Sequence, residues 1–138
     1  MTETTTATAT ATATANTMTA LAEQYIAAFN ETDSWARRAL IGRTFTEDAT
    51  YLDPLMASDG QDGIDAMIGG VQGQFPGFTF RLTGAVDGFA DRLRFSWELY
   101  LPGADAPLVA GTDFATVAAD GRLWAITGFL DLMPSAAD

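Results

Sequence analysis

The second half of this sequence constrains the fold most strongly, because apolar and polar residues alternate there almost without interruption. The alternation covers residues 78–86, 95–101, 108–117 and 123–132, and turn-forming residues separate these segments. A period of two places every second side chain on the same face of a strand. The pattern therefore predicts four long antiparallel strands, each with one face toward a core.

Helical periodicity characterises the region before these strands. A first helix is predicted to begin near Thr19, where a capping signal stands, and to end between Asn30 and Asp33. A second helix is predicted from Ser34 to about Arg43, capped by Ser34 itself or by the residue before it. Its inward-facing residues are predicted to be Trp35, Ala39 and Leu40.

One short strand is expected between the second and third helices. Residues 45–48 are predicted to form a turn and residues 49–52 a strand that stops before Pro54, because proline donates no hydrogen bond to a sheet. A third helix is predicted to open at Asp62 or Gly63. Helices gathered on one side of a sheet indicate a two-layer α+β domain, and a long, strongly curved sheet covered by helices would enclose a pocket.

The 138 residues suit a single domain with flanking tails. Residues 1–16 are nearly all Thr and Ala and contain nothing large to bury, so they are predicted to be a disordered tail. The folded domain is predicted to span residues 17–133, and residues 134–138 to form a C-terminal tail.

The residue types that are missing narrow the chemistry. The sequence has no Cys, no His and no Lys, and all seven basic residues are Arg. Thiolate nucleophiles, imidazole bases and Schiff-base lysines are therefore excluded. Any catalysis must use Asp, Glu, Tyr, Ser, Thr, Arg or the backbone, and we expect no cofactor and no metal, although an acidic site for a hard metal stays possible.

A net charge of −11 bears on the partners. It argues against nucleic acid, which requires a basic surface, and against anionic membranes. The sequence contains no long apolar run and no signal peptide, so we expect a cytoplasmic protein. The absence of Lys beside abundant Ala, Gly, Asp and Arg suggests a bacterial source with a GC-rich genome.

Several short segments resemble the nuclear transport factor 2-like (NTF2-like) superfamily. They are residues 25–30 (Tyr-Ile-Ala-Ala-Phe-Asn), 48–54 (Asp-Ala-Thr-Tyr-Leu-Asp-Pro), 111–114 (Gly-Thr-Asp-Phe), 120–122 (Asp-Gly-Arg) and Gly63 at a helix start. The superfamily includes ketosteroid isomerase, the SnoaL-like polyketide cyclases and limonene epoxide hydrolase. The resemblance covers about residues 17–132 and implies a cone-shaped fold, with three N-terminal helices and a curved mixed sheet enclosing an apolar pocket. It also implies a homodimer formed through the outer face of the sheet.

Within that superfamily, ketosteroid isomerase matches best at the positions that carry its chemistry. Its base is an Asp before a Pro at the end of the first strand, which Asp53 matches. Its oxyanion donors are a Tyr on the first helix and an Asp before an aromatic residue in the penultimate strand, which Tyr25 and Asp113 match. The resemblance implies that Asp113 is a neutral acid, because an apolar site raises the pKa of a carboxyl group.

Each of these three residues also has a structural interpretation. An Asp-Pro step such as Asp53 forms an ordinary turn in which the carboxylate accepts backbone N–H groups. Tyr25 lies on the apolar stripe of its helix and is equally a core tyrosine with a satisfied hydroxyl. Asp113 either is buried and neutral, faces solvent, or pairs with Arg94 or Arg122.

Further candidates are aromatic or acidic. The residues predicted to contact an apolar substrate are Trp97, Phe129, Tyr51 and Phe80. The acidic residues Asp59, Asp62 and Asp65 are spaced like a metal-binding loop, but helix capping accounts for the last two. Asp131 faces the pocket or caps the end of its strand.

Three functions remain open. The first is a cofactor-independent acid–base enzyme that isomerises or cyclises an apolar, steroid-like or polyketide-like carbonyl compound through an enol or enolate. The second is an epoxide hydrolase, for which an Arg and an Asn cannot be placed beside the two carboxylates. The third is a non-catalytic module that binds a small apolar molecule. Convergence of Tyr25, Asp53 and Asp113 on one pocket would favour the enzyme.

Overall fold

A computed structural model describes residues 17–134 as three helices and a six-stranded sheet. The predicted tail at 1–16 and residues 135–138 of the predicted C-terminal tail lie outside the described residues. The elements are α1 (17–30), α2 (Ser34–Thr44), β1 (Phe45–Leu52), β2 (Ala57–Asp59), α3 (Gly60–Gln74), β3 (Thr79–Phe89), β4 (Arg92–Tyr100), β5 (Val109–Val117) and β6 (Leu123–Leu132). The predicted α+β class, with helices first and long strands after them, is confirmed.

The sheet is open and mixed, with the strand order β2-β1-β6-β5-β4-β3. All neighbouring strands are antiparallel except β1 and β6, which run parallel. The last strand of the chain therefore lies between β1 and β5. This arrangement places the end of β1 and the middle of β5 on either side of β6.

The helices cover the inner face of this sheet and build the core with it. The alternation predicted for β4 is present, since every second residue from Leu93 to Leu99 is buried. Asn30 at the end of α1 exchanges two hydrogen bonds with the backbone of Phe80, at 2.8 and 2.9 Å. These bonds fix the end of α1 to β3 and hold the Phe80 side chain in the interior.

The inward face of α2 differs from the prediction. Trp35 is 84% exposed and Ala39 is also exposed, whereas Arg37 is buried. The Arg37 guanidinium donates to Asp65 at 2.7 Å and to Gln72 at 2.9 Å, both on α3. A polar network therefore helps to set the rotation of this helix. The prediction was wrong for Trp35 and Ala39, whereas Leu40 packs against the core as predicted.

The boundaries around β1 also differ from the prediction. Residues 45–48 are the beginning of β1 and do not form a turn, because Phe45 pairs with Leu123 of β6 in the parallel ladder. The three-residue β2 was not predicted, and α3 begins at Gly60, two residues earlier than expected. The three residues of β2 are held by antiparallel pairing with β1.

Within residues 17–134, no helix combines the length and the apolar character that a membrane span requires.

Candidate active site

A cavity of about 520 Å³ lies between α1, α3 and the inner face of the sheet. Its walls are largely apolar, and its polar side chains include Tyr25, Tyr51, Asp53 and Asp113. The cavity has the size and character of a small-molecule site, in which a few polar groups orient an apolar ligand. The three residues predicted to converge on one pocket do so.

Tyr25 and Asp113 form a buried hydrogen-bonded pair in the cavity. The Tyr25 hydroxyl lies 2.6 Å from Asp113 Oδ2, and the Trp97 indole N–H donates to Asp113 Oδ1 at 3.2 Å. Asp113 is 1% exposed because it lies on the inner face of β5, between Gly111 and Ala115. The structure therefore places its carboxyl group in the interior and not in solvent.

The surroundings of Asp113 favour its protonated form. Burial is the largest cause and, with the nearby charges of Asp53 and Asp131, raises the pKa of Asp113 to about 6, although the hydrogen bonds from Tyr25 and Trp97 act in the opposite direction. Burial and the neighbouring Asp113 carboxylate also raise the pKa of Tyr25 well above its ordinary value. The phenol therefore retains its proton as a donor.

Neither arginine considered as a partner of Asp113 reaches it. Arg94 pairs with Asp87 at 2.6 Å, and Arg122 pairs with Asp120 at 2.8 Å. The side chains of both pairs are accessible to solvent. Asp113 is thus a buried carboxyl group without a cationic partner among the described residues.

Asp53 serves a turn and also lines the cavity. It follows the last residue of β1, and its Oδ1 accepts from the backbone N–H groups of Leu55 and Met56 at 2.7 and 2.8 Å. Its Oδ2 accepts from the Tyr51 hydroxyl at 2.5 Å. Because a carboxylate oxygen has two lone pairs, Oδ2 keeps one acceptor position for a ligand. The two interpretations of Asp53 are therefore compatible.

Tyr51 lines the cavity, as predicted, but makes a contact that was not predicted. It lies two residues before Asp53 on the same face of β1, which is why its hydroxyl reaches that carboxylate. Burial and the charge of Asp113 raise the pKa of Tyr51, so this phenol is also protonated. The spacing of two residues on one strand face was the signal for this pair.

The predicted substrate contacts are split between the two faces of the sheet. Trp97, Tyr51 and Phe80 line the cavity. Phe129 does not: it is 54% exposed and packs against Phe114 on the outer face, with ring centroids 5.8 Å apart. Placing Phe129 in the pocket was wrong because its neighbours Gly128 and Leu130 occupy the inner face of β6.

The other acidic candidates lie outside the cavity. Asp65 pairs with Arg37, and Asp62 pairs with Arg38. Asp59 precedes α3 without a capping bond from its side chain. Asp62 and Asp65 thus connect α3 to α2. The prediction that they cap α3 was wrong. Asp131 is exposed and accepts from Thr112 at 2.8 Å.

Comparison with known proteins agrees with this architecture. The SnoaL-like domain family matches residues 22–126. A proposed isomerase of the SnoaL-like family from Agrobacterium tumefaciens is 41% identical and has a TM-score of 0.81, covering 84% of this chain and 98% of its own. No curated protein matches the chain.

More distant structures share the fold alone. A proposed polyketide cyclase from Sinorhizobium meliloti is 18% identical, with a TM-score of 0.62 over 78% of this chain and 92% of its own. A proposed SnoaL-like polyketide cyclase from Jannaschia is 19% identical, with a TM-score of 0.61 over 83% of this chain and 87% of its own. The predicted NTF2-like superfamily is confirmed, and the chain belongs to its SnoaL-like family.

Proposed function

We propose that this protein is a cofactor-independent acid–base enzyme that isomerises or cyclises a neutral, apolar carbonyl compound through an enol or enolate. One observation carries the proposal: the Asp53 carboxylate and the Tyr25–Asp113 pair line the same apolar cavity. A base and an oxyanion donor on one pocket are the minimum that enolisation requires. The SnoaL-like relative from Agrobacterium tumefaciens, which is named as a proposed isomerase, supports the same reaction class.

The proposed mechanism assigns one role to each group. Asp53 Oδ2, with its open acceptor position, removes a proton from the carbon beside the carbonyl. When Asp113 is protonated, the Tyr25–Asp113 pair contains two hydroxyl hydrogens and uses only one of them for the bond between its own members. The other hydrogen is available to the oxygen on which negative charge develops, in a buried site where such a bond is strong.

The charges of the cavity support a neutral substrate. It contains two carboxyl groups, and none of the seven arginines, all of which lie within residues 17–134, lines it. An anionic ligand would meet like charge there without a cationic partner, which is costly in a buried site. The same observation argues against the epoxide hydrolase alternative, which needs an arginine between its two carboxylates.

Proton exchange next to a carbonyl tests the proposal without requiring the natural substrate. The protein is incubated in D₂O with 5-androstene-3,17-dione and with 2-decalone, and deuterium uptake beside the carbonyl is followed by NMR. Conjugated enone formation from the steroid is followed by absorbance. We expect exchange above the buffer rate that saturates with ketone concentration.

The same samples distinguish an enzyme from a binding module. Trp97 lines the cavity, so ligand binding should change its fluorescence. Saturable binding of both ketones with exchange no faster than in buffer would contradict the enzymatic proposal. That result would favour the non-catalytic alternative.

We also propose that the protein forms a homodimer through the outer face of the sheet. The rings of Phe114 on β5 and Phe129 on β6 are packed together on this face. Phe114 is nevertheless 43% exposed and Phe129 is 54% exposed. Exposed apolar groups in contact with one another mark an interaction surface. The family resemblance makes a second copy of the chain the expected occupant.

Replacing both residues in Phe114→Ser/Phe129→Ser is expected to convert the dimer to a monomer, as measured by analytical ultracentrifugation. Trp35→Ser is the matched control, because Trp35 is 84% exposed on α2, away from the sheet. A wild-type monomer at micromolar concentration, or a double variant that remains dimeric, would refute this interface.

A further inference from the structure

Gly128 lies between the two carboxyl groups of the candidate active site. It is buried on β6, directly opposite Asp113 in the β5–β6 ladder. A Cβ atom at this position would be 2.8 Å from Asp113 Oδ1 and 3.3 Å from Asp53 Cβ. It would also lie 3.5 Å from the Tyr51 hydroxyl. The site residues of β1 and β5 thus occupy the space that a side chain on β6 would take.

Space, and not backbone conformation, is what requires glycine here. Gly128 does not have a positive φ, so an alanine would adopt its backbone angles readily. A methyl group 2.8 Å from a carboxyl oxygen, however, would force that carboxyl group to move. The missing side chain therefore sets the approach of Asp53 and Asp113.

The two phenols connect the same carboxyl groups by hydrogen bonds. Tyr51 donates to Asp53 at 2.5 Å, and Tyr25 donates to Asp113 at 2.6 Å. The Tyr51 hydroxyl also lies beside the Tyr25–Asp113 pair, because it and Asp113 Oδ1 lie 3.5 and 2.8 Å from the same point, a Cβ at Gly128. An interaction with Tyr25 acts to lower the pKa of Tyr51. The four groups are therefore neighbours in the order Asp53, Tyr51, Tyr25, Asp113.

We propose that Gly128 and Tyr51 are positioning residues that make Asp53 and Asp113 a single proton-sharing pair. Gly128 lets the carboxyl groups approach, and Tyr51 connects Asp53 to the Tyr25–Asp113 pair. The inference rests on the proposed function, in which one carboxyl group takes a proton and the other must carry one. The Trp97 N–H also faces Asp113 and is a fixed donor, and the exposed Asp131 carboxylate acts on Asp113 only through its charge.

This chain gives Asp113 a route to the proton that it must carry before turnover. When Asp53 is protonated, Asp113 is a carboxylate and the Tyr51 hydroxyl turns toward Tyr25, the Asp53 proton moves to the Tyr51 oxygen. The Tyr51 proton then moves to Tyr25, and the Tyr25 proton moves to Asp113. Asp53 is again a carboxylate, Asp113 is a neutral acid, and both phenols are unchanged, so the number of protons is conserved.

The test measures coupling between the carboxyl groups without any substrate. Protein labelled with ¹³C at the aspartate carboxyl carbons is titrated by NMR, and Asp113 is assigned from the signal lost in Asp113→Asn. In the otherwise unchanged protein, Asp53→Asn is expected to lower the Asp113 midpoint by about one pH unit. Combined with Tyr51→Phe or with Gly128→Ala, the same Asp53→Asn substitution is expected to shift the midpoint by less than half as much.

Gly73→Ala is the matched control, because no atom beyond the chain neighbours and adjacent helix backbone lies within 4 Å of a Cβ at Gly73. In that variant the full shift should remain. An equal shift in the Tyr51→Phe background, or no shift in the otherwise unchanged protein, would overturn the proposal. Should Gly128→Ala not fold, the Tyr51→Phe pair decides alone. Because no turnover is measured, a failure here is separate from a failure of the enzymatic proposal.

Discussion

The Asp53→Asn variant is expected to catalyse deuterium uptake beside the ketone carbonyl about 10²–10⁴-fold more slowly than the unchanged protein. This is the usual effect of removing a positioned base. The substitution removes the basicity of the carboxylate and little else. Asparagine keeps one carbonyl oxygen that can accept from the N–H groups of Leu55 and Met56. Asparagine is also frequent in turns of this kind. The loss therefore reports chemistry more than folding.

The matched control for Asp53→Asn is Asp131→Asn. Asp131 is also a carboxylate near the end of a strand, but it is exposed and bonded to Thr112 outside the cavity. Its exchange rate should equal that of the unchanged protein, and thermal unfolding of both variants checks that each is folded. Equal rates in all three proteins would mean that Asp53 is only a turn residue and that the base lies elsewhere.

The fold was predictable where side-chain periodicity decides burial. Alternation in β4 and β5 survives in the structure because one face of each strand packs on the core. Prediction failed for Trp35 and Ala39 of α2, because the buried face of this helix contains Arg37, paired with Asp65, beside Ile41. It also failed for β2, whose three residues are held by pairing with β1 and are too few to show a pattern.

The site was predictable in its residue types but not in its connections. Tyr25, Asp53 and Asp113 were identified from motifs, and the strand order brings them to one cavity. The role of Gly128 was invisible in the sequence, because a residue without a side chain gives no periodic signal and its neighbours come from β1 and β5. Phe129 was misplaced for a related reason, since an aromatic residue near the end of a strand fits either face until its parity is known.

Asp113 is expected to give the stability of the protein a pH dependence opposite in sign to that of a typical carboxylate. Its folded-state pKa is raised from 3.8 to about 6, mainly by burial, so the folded protein holds this proton more tightly than the unfolded chain does. Below the pKa of the unfolded chain, Asp113 is protonated in both states and therefore does not reduce the free energy of unfolding. As pH rises through the folded pKa, the cost of its buried charge develops in full, to about 3 kcal/mol.

Urea unfolding of the unchanged protein and of Asp113→Asn isolates this effect, since asparagine carries no titrating proton. Between pH 5 and pH 7.5 the variant should gain about 1.5 kcal/mol of stability relative to the unchanged protein, which is the part of the linkage that falls within that window. Asp131→Asn, an exposed carboxyl substitution, should show no comparable gain. Parallel curves for the unchanged protein and Asp113→Asn would show that Asp113 titrates like an ordinary carboxyl group, and the neutral oxyanion donor would then have no basis near neutral pH.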